Sequence, residues 1–448
     1  YDGIARTNDV ILLVAKAEDM TEAEKTAVIA QARFLRGHYH FEARKVFGKV
    51  PYIDEKTYNP ADANSTKVPN TEEIWSKIEA DLDFGYKNLP NRWAGAPGRA
   101  TKWAAAATLA KAKLFQAKYS EAKPILEDIL ANGGYRLVDK YHDNYRAATN
   151  NNAESIFEVQ YSVNDGAAIS NNGNRGGTLN YPYGGGALTT CCGFFQPSQN
   201  LVNNFKTDDN GLPVMDFNSS DVPGDNSASF AGNIDPRLDH TVGRDGVPYL
   251  DWGIHNPQYI RDRAYAGPFS PKKGSPYRSE AGSLTWTNNP RQNANNYRLI
   301  RLAHVILWLA ECEVEVGELE KARDYVNRIR RRAANPEGFV QLNGKPAGNY
   351  AIKEYSESWT DKGAARDAVR REQRLEFAME GHRFFDLVRW GIADKTINDY
   401  LTIESTKRTY LRGAKFVAGK HEYFPIPNQE ILNSAKDGQA TLKQNNGY

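Results

Sequence analysis

LAKAKLFQAKYSEAKPILEDIL (residues 109–130) and LAECEVEVGELEKARDYVNRIR (residues 309–330) align without a gap. Leu109 and Ala110 answer Leu309 and Ala310, Ala122 answers Ala322, and Ile129 answers Ile329. The spacing predicts a long helix in each copy, a break at Lys118-Tyr119 or Gly317-Glu318-Leu319, and a second helix with alanine in its first turn. Alanine there lets paired helices approach closely, the pattern of a tetratricopeptide-type hairpin. A lone hairpin leaves its apolar face uncovered, so several must stack on one another or on something else. The fold class that follows is mainly α, a tetratricopeptide-like scaffold of helical hairpins with a large irregular, loop-rich insertion.

At 448 residues the chain has ample material for a core. A hydrophobic content of 40% and a charged content of 25% are those of an ordinary globular protein. The net charge of +2 argues against nucleic acid as a partner. The longest apolar run, Leu302–Ala310, is far short of the roughly 20 residues of a membrane span. Three cysteines make no disulfide framework. No signal peptide stands at Tyr1 and the chain opens inside a helical pattern, so a processed or trimmed start is expected.

Around the repeat, three parts are expected: helical hairpins over 1–135, a loop-rich ligand-binding part over 136–296, and a second helical part with an extended tail over 297–448. Tyr1 to Ala17 reads as a helix. Thr21 and Glu24 form a capping box for a helix to about Phe47, ended by Gly48 and Pro51. Asn70 to Leu89 reads as another, started by Asn70 and Glu73 and stopped by Pro90. Ile156–Tyr161 alternates like a strand. From Ser162 to Asn296 only Pro197–Phe205 looks helical, and a block that long without helices is functional or disordered. Its aromatics argue against disorder. Helices resume at Tyr297, Ala364–Trp390 holds two helical stretches divided near Gly381, and strands are expected around Gly413 and Gly419.

Catalytic signatures are lacking: no His-Glu-x-x-His, no Gly-x-Ser-x-Gly, no phosphate loop and no dinucleotide fingerprint. The expectation is a protein without enzyme activity, cofactor or metal. His38 and His40, two apart on one helix, point to different sides, whereas ligands on a helix want i, i+4 spacing. Asp208-Asp209-Asn210-Gly211 lacks the later glutamate of a calcium loop and reads as a polar turn. Asp235, Asp239, Asp251 and Asp262 would serve a glycosidase only at a suitable separation, and surface or turn roles suit them better. Cys191 and Cys192 either close a strained ring or are two small buried thiols. The run Arg366, Arg370, Arg371, Arg374 is interleaved with Glu372, Glu376, Glu380 and Asp386, which makes it a charge-paired structural helix with several pairs at i, i+4 or a similar reach.

The aromatics of the loop block carry the functional signal. Tyr181, Tyr183, Phe194, Phe195, Tyr249, Trp252, Tyr259, Tyr265, Tyr277 and Trp286 lie among Asn171, Asn172, Asn174, Arg175, Asn288 and Asn289. A sugar offers an apolar C–H face and a rim of hydroxyls, so its site wants flat rings plus amide and guanidinium donors on a rigid frame. Anchoring of long loops to the helices is the competing role for any one ring. The candidate ligand-binding set is Tyr181, Tyr183, Trp252, Trp286, Tyr259, Arg175, Asn174 and Phe194.

Several longer stretches then point to a family. They are AQARFLRGHYHFEARKVFGKVPY (30–52), GRATKWAAAATLAKAKLF (98–115), ESIFEVQYS (154–162), GFFQPSQNLVNNF (193–205), DPRLDHTV (235–242), YRLIRLAHVILWLAECEVEVG (297–317), RREQRLEFAMEGHRFFDLVRWG (370–391) and YFPIPNQEI (423–431). In these the chain resembles the SusD-like (RagB/SusD) nutrient-binding lipoproteins of the Bacteroidetes outer membrane. The resemblance implies a non-catalytic, lipid-anchored binder on the cell surface, the anchor lying upstream of this chain. It implies an oligosaccharide or polysaccharide ligand, or sometimes a peptide, passed to a TonB-dependent SusC-like barrel for nutrient uptake. Members often place an aromatic platform near Cys191–Gly193. This chain has two cysteines there, which leaves Tyr181, Tyr183, Trp252 and Trp286 as substitutes. A helical glycoside hydrolase is the alternative from another functional class.

Overall fold

The computed structural model describes residues 1–167, 171–184 and 192–448. Five helices come first: α1 (Asp2–Ala15), α2 (Glu22–Phe47), α3 (Trp75–Asn88), α4 (Lys102–Leu114) and α5 (Tyr119–Asn132). Three short ones follow, α6 (Gln199–Asn203), α7 (Leu238–Thr241) and α8 (Arg263–Ala266). Then come α9 (Leu302–Val316), α10 (Leu319–Ala333), α11 (Lys362–Glu376), α12 (Arg383–Arg389), α13 (Ala393–Lys407) and α14 (Asn428–Asn433). The chain forms two compact units. One comprises Tyr1–Gly134, Phe385–Thr396 and Phe416–Tyr448, the other Tyr135–Phe384 and Ile397–Lys415.

In the first unit each of α1 to α5 packs on the next. The Thr21–Glu24 capping box is present at the start of α2, and Gly48 ends that helix with φ +71°. A buried ionic contact fixes the stack. Arg36 on α2 donates to Asp81 on α3 at 2.7 and 2.8 Å, to Asn8 on α1 at 2.9 Å, and to Glu55. His40 donates from Nδ1 to the Arg36 carbonyl and accepts the Ile53 N–H at Nε2, so it is a core histidine and no metal ligand. Asn70 does not start α3. Its side chain joins the carbonyl oxygens of Lys49 and Lys443 and the N–H of Lys443, and α3 starts only after Ile74.

Both copies of the repeat are helical hairpins, α4–α5 and α9–α10. All four matched pairs are in the core: Leu109 and Leu309, Ala110 and Ala310, Ala122 and Ala322, Ile129 and Ile329. The break in the first copy begins earlier than expected, because Ala117 adopts φ +55° after α4 has ended at Leu114. Helix α9 begins at Leu302, not at Tyr297. Residues Tyr297–Arg301 form an antiparallel strand with Ser155–Val159, the strand expected from the alternation there. The tail contains no strand at Gly413 or Gly419, whose φ of +78° belongs to turns, and α13 stands where no helix was expected.

The second unit buries an ionic network beside its apolar core, which includes Phe205, Leu238, Phe269 and Leu375. Glu376 on α11 accepts Arg301 at 2.6 Å, Arg237 at 3.0 Å and Arg332. Glu372 binds Arg237 at 2.7 Å and Arg330 at 3.0 Å. Glu154 binds Arg301 at 2.7 Å and Arg332 at 3.1 Å, and Asp235 binds Arg237 at 2.7 Å. All eight groups are buried. The charge pairing expected of α11 is therefore real, but its glutamates reach across to other elements and not along the helix at i, i+4. Arg366 likewise binds Glu315 on α9. Four carboxylates against four guanidiniums balance the charge, which such burial demands.

Two outcomes follow. Ala322→Leu, an overpacking of the α9–α10 contact, lowers stability by about 1–3 kcal/mol in urea denaturation; an unchanged midpoint removes the close-approach role of this alanine. The three guanidiniums hold Glu376 far below the usual carboxylate range, and Lys273 and Arg301 hold Glu380 down to about 2. Depressed carboxylates contribute stability above their unfolded value that is lost as pH falls through the folded one. The melting temperature should therefore drop progressively from about pH 4.5 toward pH 2. Glu376→Ala should cost about 3–5 kcal/mol at pH 7 by leaving buried arginines underpaired.

Candidate functional site

The second unit holds a cavity of about 340 Å³. Its walls come from the 3-10 turn Tyr141–Tyr145, residues 174–181, Phe195, residues 271–275, residues 293–298 and the bend 379–381. Amides dominate the polar lining, and they are held by one another. Asn174 donates to the Asn295 carbonyl at 2.7 Å, Asn293 to the Tyr181 hydroxyl at 2.7 Å, and Asn295 to the Tyr145 carbonyl at 2.8 Å. Arg298 donates to the Asn295 side chain at 2.9 Å, and Asn296 to Glu158 at 2.8 Å. Such mutual fixing leaves the remaining lone pairs and N–H groups pointing in set directions.

Aromatic rings supply the apolar part: Tyr145, Tyr181, Phe195 and Tyr297. Phe195 is 51% exposed and holds φ +57°, a conformation bulky residues rarely adopt. Met379 (φ +65°) and Gly381 (φ +83°) line the same cavity. Backbone strain of this kind gathers at ligand sites.

Glu380 is the only carboxylate among the described residues that line this cavity. Its Oε1 accepts the Tyr145 hydroxyl at 2.8 Å, Lys273 at 2.9 Å and Arg301 at 3.2 Å. It is ionised at neutral pH and has no proton to give. Hydrolysis of a glycosidic bond takes two carboxylates, one of them protonated. The four loop aspartates do not supply the second. Asp235 binds Arg237, Asp239 binds Arg244, Asp251 accepts the backbone of Arg278 and Ser279, and Asp262 caps α8.

An Asp–His–Ser relay does occur: Asp245 and Ser270 each lie 2.9 Å from a ring nitrogen of His255. All three are buried, and Ser270 Oγ lies against the backbone of Gly243, where a Cβ would meet it at 2.5 Å. Sealed in this way, the relay orders the loop block. Among the described residues, His304, Glu380 and His382 also come together. His304 accepts the Arg301 N–H at Nδ1, which places its proton on Nε2, the atom 3.2 Å from His382 Nε2. With that proton in place, and with Arg301 and Lys273 on Glu380, the group suits a hydrogen-bonded cluster better than a cation. The Asp208–Gly211 segment is a polar turn, with Leu212 N–H bonded to Asp208 Oδ1.

Of the eight candidate residues, Asn174 and Tyr181 line the cavity. Tyr181 is 3% exposed, and its hydroxyl accepts the Asn293 side chain. Tyr183, 44% exposed, is joined through its N–H to the Tyr259 carbonyl, and Arg261 lies 5.9 Å from its ring. Tyr259 itself is buried against His255 and Tyr249, so it anchors the loop. Trp252 is half-buried and donates to the Pro276 carbonyl at 2.9 Å. Trp286 pairs with Asn289 in a two-stranded ladder, and of its strands only the Asn293 end lines the cavity among the described residues. Phe194 is exposed beside Phe195, its N–H on the Leu179 carbonyl, and Arg175 is exposed close to Asn174. Cys191 lies outside the described residues. Tyr145, Lys273, Tyr297, Arg298 and Glu380 were not in the expected set. The amide-rich run NANNYR (293–298) was a signal for Tyr297 and Arg298 alone.

Comparison with known proteins agrees with this architecture. The SusD family model matches residues 153–448, and a model described as starch-binding associating with outer membrane matches residues 1–114. SusD-like protein P25 of Formosa agariphila is 25% identical over 461 residues, spanning 100% of this chain and 78% of that protein. The starch-binding protein SusD of Bacteroides thetaiotaomicron is 24% identical over 478 residues, spanning 97% and 75%. Among solved structures, a laminarin-binding SusD-like protein superposes with a TM-score of 0.71 at 24% identity, covering 100% of this chain and 84% of that one. Surface glycan-binding protein A from Bacteroides thetaiotaomicron, in complex with laminarihexaose, gives 0.71 at 23% identity, covering 100% and 83%. The two structures establish a shared fold, and the match over 153–448 establishes kinship: the chain belongs to the SusD family.

Proposed function

We propose that this protein is a non-catalytic glycan-binding protein of the outer cell surface, which passes oligosaccharide to a SusC-like TonB-dependent barrel in the outer membrane. The cavity lined by fixed amides and aromatic rings, with one ionised carboxylate, carries the binding part of this reading. Rings take the C–H faces of sugars and the amides take hydroxyls. The hand-over partner and the lipid anchor rest on family membership, and no helix among the described residues is long and apolar enough to cross a membrane. The ligand-contacting set is Asn174, Tyr181 and Phe195 at the cavity, with Tyr183 and Phe194 as further exposed rings. Trp252, Trp286, Tyr259 and Arg175 act at the periphery or in holding the loops.

Retardation in gels containing a panel of neutral polysaccharides tests this. Retention of the wild-type protein on at least one of them, with no new reducing ends released, is the expected result. Phe195→Ala and Asn174→Ala should each weaken the interaction about tenfold, roughly 1.4 kcal/mol. Trp286→Ala should change it less than twofold, about 0.4 kcal/mol. Released ends would make the protein a hydrolase, and retention of peptides alone would make it a peptide binder.

A further inference from the structure

A second hollow, of about 280 Å³, backs onto the first. The 3-10 turn Tyr141–Tyr145 and the segment 271–277 serve both: Tyr145 and Lys273 face the amide-lined cavity, while His142 and Lys272 face this one. Its buried lining is basic. His142 is 6% exposed, and neither of its ring nitrogens has a hydrogen-bond partner. Burial, with His240, Lys272 and Arg146 close by, holds it well below the ordinary histidine range. A neutral imidazole there carries one N–H and one lone pair that the protein does not use.

Lys272, also buried, gives two protons to the carbonyl oxygens of Asp239 and Pro248, at 2.5 and 2.6 Å, and keeps a third. Arg146 lies 4.3 Å over the ring of Tyr277 and reaches Glu280 at 3.3 Å, with its Nε–H unused. Of the acids of this hollow, Asp251 and Glu337 are exposed and Asp143 is half-buried, as Arg146 is, and Asp251 already accepts two backbone N–H groups. Buried donors left without acceptors are costly, so a guest that brings acceptor oxygens to this floor is favoured.

We propose that this hollow is a second ligand site and that it binds a carboxylate group, held by Arg146 and Lys272 with His142 beside it. The carboxylate belongs either to a uronic acid unit of a glycan or to a free organic acid. The uronate form rests on the glycan-binding reading above, and the carboxylate site does not.

Calorimetry with galacturonic acid, its methyl ester and lactate separates these. Galacturonic acid is expected to bind, with its methyl ester about tenfold weaker or worse. Arg146→Gln should weaken the acid by a similar factor, while Asn174→Ala in the first cavity leaves it unchanged. Lactate binding as well as galacturonic acid upholds the site and assigns it to free acids. Equal binding of acid and ester overturns the proposal, and this comparison needs no variant to fold. So does full affinity in Arg146→Gln, loss in Asn174→Ala, or no binding of any of the three. Failure of every neutral polysaccharide to retard the protein, with galacturonic acid still bound, sinks the glycan reading alone.

Discussion

Three buried guanidiniums converge on the carboxylate of Glu376, and the second unit is arranged around that meeting. Arg237 comes from the loop block, Arg301 from the junction of strand and α9, and Arg332 from the last turn of α10. No member of the set is tolerable alone in a low-dielectric interior. The network is thus less a source of net stability than a condition on assembly. Loop block, strand and helices must all be in place before any of the charges is satisfied. An irregular segment of more than 130 residues cannot rely on a regular backbone ladder, and a buried ionic hub gives it fixed points instead.

The hub also reaches the cavity. Arg301 contacts Glu376 and Glu380 together, and Glu380 forms part of the cavity lining with Tyr145 and Lys273. The bend that carries Glu380 lies between Met379 and Gly381, both with positive φ. Strain in that bend is sustained by ionic contacts one helical turn away on α11. Scaffold and site therefore meet in the charged run RREQRLEFAMEGHR: Glu372 and Glu376 serve the hub, while Met379, Glu380 and Gly381 line the cavity.

The helical framework was legible because its information is local. Alanine spacing, the Thr21–Glu24 box and Gly48 each act within one or two turns, and each appears where the pattern put it. The errors come from long-range partners. Asn70 looks like a helix cap until Lys49 and Lys443 claim its side chain. Tyr297–Arg301 has helical neighbours, yet it pairs with a strand more than 130 residues earlier. The glutamates of α11 suggest i, i+4 pairs with their own helix, and their partners lie on three other elements. The site was partly legible for the same reason. Composition located the loop block and its rings, but which rings face a cavity depends on contacts such as Asn293 to Tyr181, which no spacing rule encodes.

What the cavity does follows from what its polar groups already do. A catalytic carboxylate must change protonation during a cycle, and Glu380, surrounded by Lys273, Arg301 and Tyr145, is held in one state. The amides do not titrate at all. Glu380, fixed in its ionised state, cannot serve as a general acid, and the amides offer donors and acceptors in set directions for holding a ligand. The fixed amides lower the ordering cost of that hold, since their side chains are immobile before the ligand arrives. A half-exposed phenylalanine in a strained backbone at the mouth adds a flat apolar face without needing a defined partner. Preorganised donors inside and a flat ring at the entrance are the two kinds of contact that a sugar's hydroxyl rim and C–H face require.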